Sequence, residues 1–171
     1  PSETASDDFD SKLVLNWGDT PGDPGPGYFY DTERTIMSEA ELSTDFGNIA
    51  EAADMNGDGM VDILHVNTLG VNILEVLWQN GPTAGDDFLL ETIYTGAPYF
   101  MSAGDLDGDA DLDIVIVDDS QDRYAINNGN GADGFANFTT YVIDDSLAEF
   151  GNTSKLFDLD NDGDLDCFIA D

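Results

Sequence analysis

Apolar residues along this chain come in short blocks, each about 5–8 residues long, the length of ordinary strands. They lie at Ile49–Ala53, Val61–Val66, Ile73–Gln79, Phe88–Tyr94, Phe100–Gly104, Leu112–Val117, Arg123–Asn127, Phe138–Ile143, Thr153–Phe157 and Leu165–Ala170. β-Branched and aromatic residues dominate them, and Gly, Asn and Asp separate them, so each is read as a strand. Residues 11–17 and 28–37 are read as a further strand pair, joined by the long Gly/Pro turn Gly18-Asp-Thr-Pro-Gly-Asp-Pro-Gly-Pro-Gly27. Residues 38–46 are less regular and suit a helical turn. Residues 1–10 are polar and acidic and read as a linker, leaving 11–171 as one domain.

The pattern repeats. Three aspartate-rich stretches, Asp54–Asp62, Asp105–Asp113 and Asp158–Asp166, start roughly 50 residues apart. An apolar run ending in an Asn/Gly turn precedes each repeat boundary: Leu13-Val-Leu-Asn-Trp-Gly18, Val76-Leu-Trp-Gln-Asn-Gly81 and Tyr124-Ala-Ile-Asn-Asn-Gly129. Aromatics follow, at Tyr28-Phe-Tyr30, Phe88, and Phe135 with Phe138. The unit is thus loop, strand, hairpin, strand, and a last strand into the next loop. About four strands per period predicts an all-β protein of β-propeller blades, each of four antiparallel strands, in about three repeats. The N-terminal piece supplies the last two strands of a unit, and the C-terminal piece the first two. Closure of this chain on itself would make only three blades, against a usual 4–8. The expectation is therefore a segment of a larger propeller, or one that takes blades from other chains. An edge left open at Ala170 would be a pairing hazard.

The aspartate-rich stretches carry the chemistry. Each places an oxygen-bearing side chain at loop positions 1, 3, 5 and 9: Asp54, Asn56, Asp58 and Asp62; Asp105, Asp107, Asp109 and Asp113; Asp158, Asp160, Asp162 and Asp166. Position 7 can add its backbone carbonyl, from Met60, Asp111 and Asp164. Carboxylates so closely spaced repel one another, and a bound cation explains the clustering. Calcium takes about 6–8 oxygen ligands of these kinds, so up to three calcium ions are expected. The loop is not that of an EF-hand, whose twelfth residue is a glutamate followed by a helix. Here the twelfth residues are His65, Ile116 and Ile169, and a strand follows. The second loop has Ala110 where the others have Gly59 and Gly163, so its geometry is expected to differ and its affinity to be lower.

Charge narrows the partners. The chain has 37 acidic and 4 basic residues among 171, a net charge of −33. Nothing here can neutralise phosphates, which excludes nucleic acid, and an anionic membrane surface is disfavoured. With 41% hydrophobic residues the chain is nonetheless globular rather than a disordered acidic tail. Three calcium ions would cancel only a small part of the charge, and the remainder suits a salty medium that screens it. No stretch is long and apolar enough to insert in a membrane. Weak calcium sites fill at millimolar calcium, which points to an extracellular or cell-surface location. Two acceptor patterns for N-glycosylation, at Asn137 and Asn152, agree with this. The single cysteine, Cys167, reads as a small buried apolar residue, and the single histidine, His65, as a satisfied core residue. Trp17, Trp78, Tyr94, Tyr99 and Tyr124 recur at strand and hairpin positions, where core packing accounts for them better than sugar stacking.

These residues resemble the FG-GAP/VCBS repeat family, the calcium-bearing β-propeller repeats of integrin α-chain heads and of many secreted proteins. The Phe-Gly of the family pattern is similar to Phe46-Gly47 and Phe150-Gly151, whereas the second unit has Tyr99-Phe100. The third loop, Asp-Leu-Asp-Asn-Asp-Gly-Asp-Leu-Asp, is a strong match. The resemblance covers roughly residues 11–171 and implies a propeller fold with metal at 54–62, 105–113 and 158–166. It implies a non-catalytic extracellular module for adhesion, ligand binding or assembly, whose partner is an extracellular protein or glycan, or further blades or subunits of the same assembly. The alternative is a carbohydrate-binding or catalytic propeller of a polysaccharide-active enzyme. No nucleophile with its base is arguable, with His65 and Cys167 both inside strands.

Overall fold

The computed structural model describes residues 11–13, 34–37, 47–67, 72–81, 88–143 and 151–170. All regular structure among them is β. The first complete sheet is built from β3 (Gly47–Ala53), β4 (Asp62–Asn67), β5 (Ile73–Gln79) and β6 (Phe88–Thr95), in that order. The second is built in the same way from β7 (Pro98–Gly104), β8 (Asp113–Asp118), β9 (Arg123–Asn130) and β10 (Ala136–Val142). Every neighbouring pair is antiparallel. Two shorter sheets complete the description. One pairs β11 (Thr153–Phe157) with β12 (Asp166–Ala170), and the other pairs β1 (Ser11–Leu13) with β2 (Arg34–Met37). These are blades of four antiparallel strands, and the array is not closed. The linker expected at 1–10 and the helical turn expected at 38–46 lie outside the described residues, as do Trp17 and the long Gly/Pro turn.

Burial explains the sheet order. The inner strands β3, β7 and β11 lie side by side around a cavity of about 340 Å³ lined by Ile49, Glu51, Phe100, Ser102, Lys155 and Leu156, among others. Ser102 and Ser154 meet there through their hydroxyls at 2.7 Å, and the Ala103 N–H donates to Glu51 Oε2 at 3.3 Å. The second strand of each complete blade is buried on both faces, as its continuous apolar run predicts. The outer strand β6 and, beyond its buried first residue Ala136, β10 instead mix exposed and half-buried positions, because one face meets solvent.

Successive blades pack face to face. Leu64, Val66, Val76 and Trp78 of the first blade meet Met101, Ile114, Ile116, Ala125 and Ala136 of the second, all essentially inaccessible. Trp78 stacks on Phe135 with ring centroids 5.2 Å apart, and its indole N–H donates to Glu91 Oε2 at 2.9 Å. The polar end of the ring is therefore satisfied while its body fills the core. Tyr124 stacks on Tyr141 on the far face of the second blade. Tyr94 donates to Asp118 Oδ2 at 2.8 Å and accepts from Arg123 Nε at 2.9 Å. Trp78, Tyr94 and Tyr124 thus serve packing and inter-blade clasps.

Two expectations about core residues need correction. His65 is buried, but its Nδ1 makes no hydrogen bond and lies 3.7 Å from Glu75 Oε2, its cross-strand neighbour. Cys167 is exposed, whereas its equivalent Ile114 is fully buried. Leu159 is 68% exposed where its equivalent Met55 is 1% exposed. Among the described residues the third sheet has two strands, so no third strand covers Cys167, and no hairpin lies over the third loop as the Asn127 hairpin lies over Met55. Burying one such side chain completely is worth roughly 1.5–3 kcal/mol.

Candidate metal centres

Each aspartate-rich stretch is the loop joining the first two strands of a blade. Ala53 pairs with Asp62, Gly104 with Asp113 and Phe157 with Asp166, so the strands close as soon as the loop ends. Within the loop the backbone alternates handedness. Positions 4 and 6 both have positive φ: Gly57 (69°) and Gly59 (87°), Gly108 (81°) and Ala110 (77°), Asn161 (62°) and Gly163 (101°). Glycine takes this conformation without steric cost, and asparagine tolerates it.

That winding turns the odd-numbered side chains back onto their own loop. The position-6 N–H donates to the position-1 carboxylate in all three loops: Gly59 to Asp54 at 2.8 Å, Ala110 to Asp105 at 3.0 Å and Gly163 to Asp158 at 3.1 Å. The position-7 N–H donates to position 5: Met60 to Asp58, Asp111 to Asp109 and Asp164 to Asp162. Carboxylate oxygens of Asp105, Asp107 and Asp109 come within 4.8 Å of one another, as do those of Asp158, Asp160 and Asp166. In the first loop the third position is an amide. There Asp58 N–H lies between Asp54 Oδ1 (3.1 Å) and Asn56 Oδ1 (3.2 Å).

Ala110 keeps the turn of the other loops, since its φ of 77° and its hydrogen bond to Asp105 reproduce what Gly59 and Gly163 do. The second loop differs at the neighbouring bond: Asp105 Oδ1 accepts from the position-4 N–H, Gly108, at 2.8 Å, where Asp54 and Asp158 accept from the position-5 N–H of Asp58 and Asp162. Ala110 also carries backbone strain, because a Cβ in this region costs about 1–2 kcal/mol. Ala110→Gly is therefore expected to stabilise the protein by about 1 kcal/mol, part of the relief being offset by a more flexible unfolded chain. Melting in saturating calcium would show this as a rise of roughly 2–4 °C.

Position 9 does more than close the cradle. Asp62 and Asp113 are wholly buried. Asp62 accepts from the position-2 N–H, Met55, at 3.0 Å and from Gln79 N–H at the end of β5 at 2.9 Å. Asp113 accepts likewise from Leu106 at 2.7 Å and Asn127 at 2.8 Å. Asp166 accepts from Leu159 at 2.9 Å. Each carboxylate therefore stitches its loop to the strand start, and in the complete blades to the third strand as well. Burial pushes the Asp62 and Asp113 carboxyls above their ordinary range. The two backbone N–H donors pull each back, and neighbouring loop carboxylates push each up again.

A further set of residues holds the first loop from outside, and of these the sequence showed only Asn127, as part of a turn. Asn127 Nδ2 donates to Met55 O at 3.0 Å, Asn130 Nδ2 to Asn56 O at 2.7 Å, and Asn56 Nδ2 to Gly134 O at 3.2 Å. The hairpin of the second blade thus clamps the first loop.

The donor set suits a hard divalent cation. It consists of oxygens only, two buried carboxylates sit beside further carboxylates, and none of the four basic residues, Lys12, Arg34, Arg123 and Lys155, lies in a loop. A cation would supply the missing positive charge. The family model of the FG-GAP-like repeat matches residues 54–116 and 105–169, which is more than half of the chain. The chain belongs to the FG-GAP-like repeat family. Each match opens on an aspartate-rich loop and runs through the following strands, so the FG-GAP-like unit is the loop-and-blade module described above. No curated protein and no solved structure matches the chain. Among the described residues no helix is long and apolar enough to cross a membrane.

Proposed function

We propose that this FG-GAP-like chain is an extracellular, calcium-stabilised β-propeller module, non-catalytic, that displays its surface to a protein or glycan ligand or builds a surface assembly. The convergence of carboxylates in the strand-connecting loops carries the calcium part of the reading. Asp54, Asn56, Asp58 and Asp62, with Met60 through its carbonyl, would hold one ion. Asp105, Asp107, Asp109, Asp111 and Asp113 would hold a second, and Asp158, Asp160, Asp162, Asp164 and Asp166 a third. Calcium there cancels repulsion and fixes the loops, which sit at one end of the blades. The non-catalytic part is supported by the placement of the chain's one histidine, His65, inside the first sheet, away from solvent. Weak oxygen-only sites need an environment rich in calcium, which favours the outside of a cell.

Immobilised protein screened against a glycan array and extracellular matrix proteins tests the reading. Retention that needs millimolar calcium and disappears with a chelator is the expected result. Turnover of any member of a polysaccharide panel would overturn the non-catalytic assignment in favour of a polysaccharide-active enzyme.

A further inference from the structure

The candidate metal loops of the first two blades are joined by one element, the second-blade hairpin from Asn127 to Gly134. Asn127 bonds both loops. Its backbone N–H donates to Asp113 Oδ1 of the second loop at 2.8 Å, and its Nδ2 donates to Leu112 O of that loop at 3.3 Å. The same Nδ2 donates to Met55 O of the first loop at 3.0 Å. Its Oδ1 accepts the Gly129 N–H at 3.0 Å, so both ends of the amide are engaged.

Two more bonds extend the contact. Asn130 Nδ2 donates to Asn56 O at 2.7 Å, and Asn56 Nδ2 donates to Gly134 O at 3.2 Å. Asn56 is thus held through its backbone and its side chain, while its Oδ1 is the position-3 oxygen of the first loop. The other two loops have an aspartate there, Asp107 and Asp160. An ionised carboxylate has no N–H to donate. The amide in the first loop carries one negative charge fewer and adds a bond to the next blade.

These bonds make the shape of the first loop depend on the second. Met55 and Asn56 lie between Asp54 and Asp58, so the hairpin fixes the backbone on which those side chains stand. The hairpin is fixed in turn by Asp113, the position-9 residue of the second loop. Ordering either loop around an ion therefore removes freedom that the other would otherwise lose on binding, and the second event is favoured. Direct electrostatics has the opposite sign. Two dications repel, and the first ion leaves the chain less negative for the second. The sign of the coupling tells the two effects apart.

We propose that the first and second loops bind calcium cooperatively, with the Asn127–Gly134 hairpin as the coupling element and Asn130 as a positioning residue outside both ligand sets. The inference rests on the calcium reading above.

Calcium titration against a competing chelator tests it. Asp158→Ala with Asp162→Ala disables the third loop and leaves two sites. Adding Asp109→Ala leaves the first site alone, and adding Asp58→Ala instead leaves the second. The product of the two affinities in the two-site protein is expected to exceed the product of the single-site affinities by about 5–150-fold, the usual range of such coupling. Asn130→Ala, made in the same three forms, removes an exposed side chain and no ligand. It is expected to keep two ions bound while bringing that ratio most of the way to one. Asn128→Ala is the control, because the Asn128 amide bonds only within its own hairpin, to Ile126 O, Asn137 O and Thr139 Oγ1. It should leave the ratio unchanged. A ratio of one or less, a ratio that survives Asn130→Ala, or one that falls equally with Asn128→Ala overturns the proposal and leaves the calcium reading intact. A chain that binds no calcium overturns both.

Discussion

Chelation of calcium is expected to lower the melting temperature by more than about 10 °C. An ion bound only by the folded state at about 100 times its dissociation constant stabilises by ~2.7 kcal/mol, and three such sites together by roughly 8 kcal/mol. For a chain of this size each kcal/mol moves the midpoint by roughly 2–4 °C. The pH dependence should change sign with the metal. In the metal-free protein Asp62 and Asp113 titrate above their ordinary range, chiefly because they are buried. A group whose folded pKa is raised contributes stability that is complete below its unfolded pKa and lost as pH rises through the folded value. The metal-free protein therefore gains stability on acidification from neutral pH toward that raised range. The calcium-loaded protein loses it, because protons and calcium compete for the same oxygens. Melting curves with and without chelator between neutral and mildly acidic pH would show the two trends diverging. An unchanged midpoint on chelation would exclude calcium as a stabilising ligand.

Replacing Asp113 with alanine should cost about 2–5 kcal/mol, because the buried N–H groups of Leu106 and Asn127 lose their acceptor. The midpoint would fall by roughly 5–15 °C. The important control is the same comparison in chelator. A residue that only held metal would cost nothing once the metal is gone. Asp113 should retain most of its effect there, because it joins the loop to both β8 and β9. Asp109→Ala is the contrast. Asp109 is exposed and its oxygen accepts only loop N–H groups, so its effect should largely vanish in chelator. Denaturant unfolding of the two variants, each with and without calcium, separates the roles.

Much of this was legible in the chain itself. The apolar runs located the strands of the described blades to within a few residues, because a strand buried on both faces needs an unbroken apolar run. The spacing of Asp158, Asp160, Asp162 and Asp166 placed the loops at the strand joints, because like charges at alternate positions need a common partner. The turn at Ala110 and the exposure of Cys167 needed the structure. Ala110 follows its neighbours' left-handed turn because the hydrogen bond to Asp105 and the flanking loop hold it there, against its own local preference. Cys167 has the surroundings of a buried residue in sequence, yet it is exposed because the strands that cover its equivalents come from elsewhere in a blade.

Local composition and periodicity determined the repeat, the strand order within a blade and the clustering of oxygen ligands, since all three are set by neighbours along the chain. Only the tertiary structure decided that position 9 is buried and bonded to the third strand. It alone also revealed that Asn127 and Asn130 clamp the preceding blade's loop. These are contacts between residues far apart in the chain, and nothing in one segment records which other segment will lie against it.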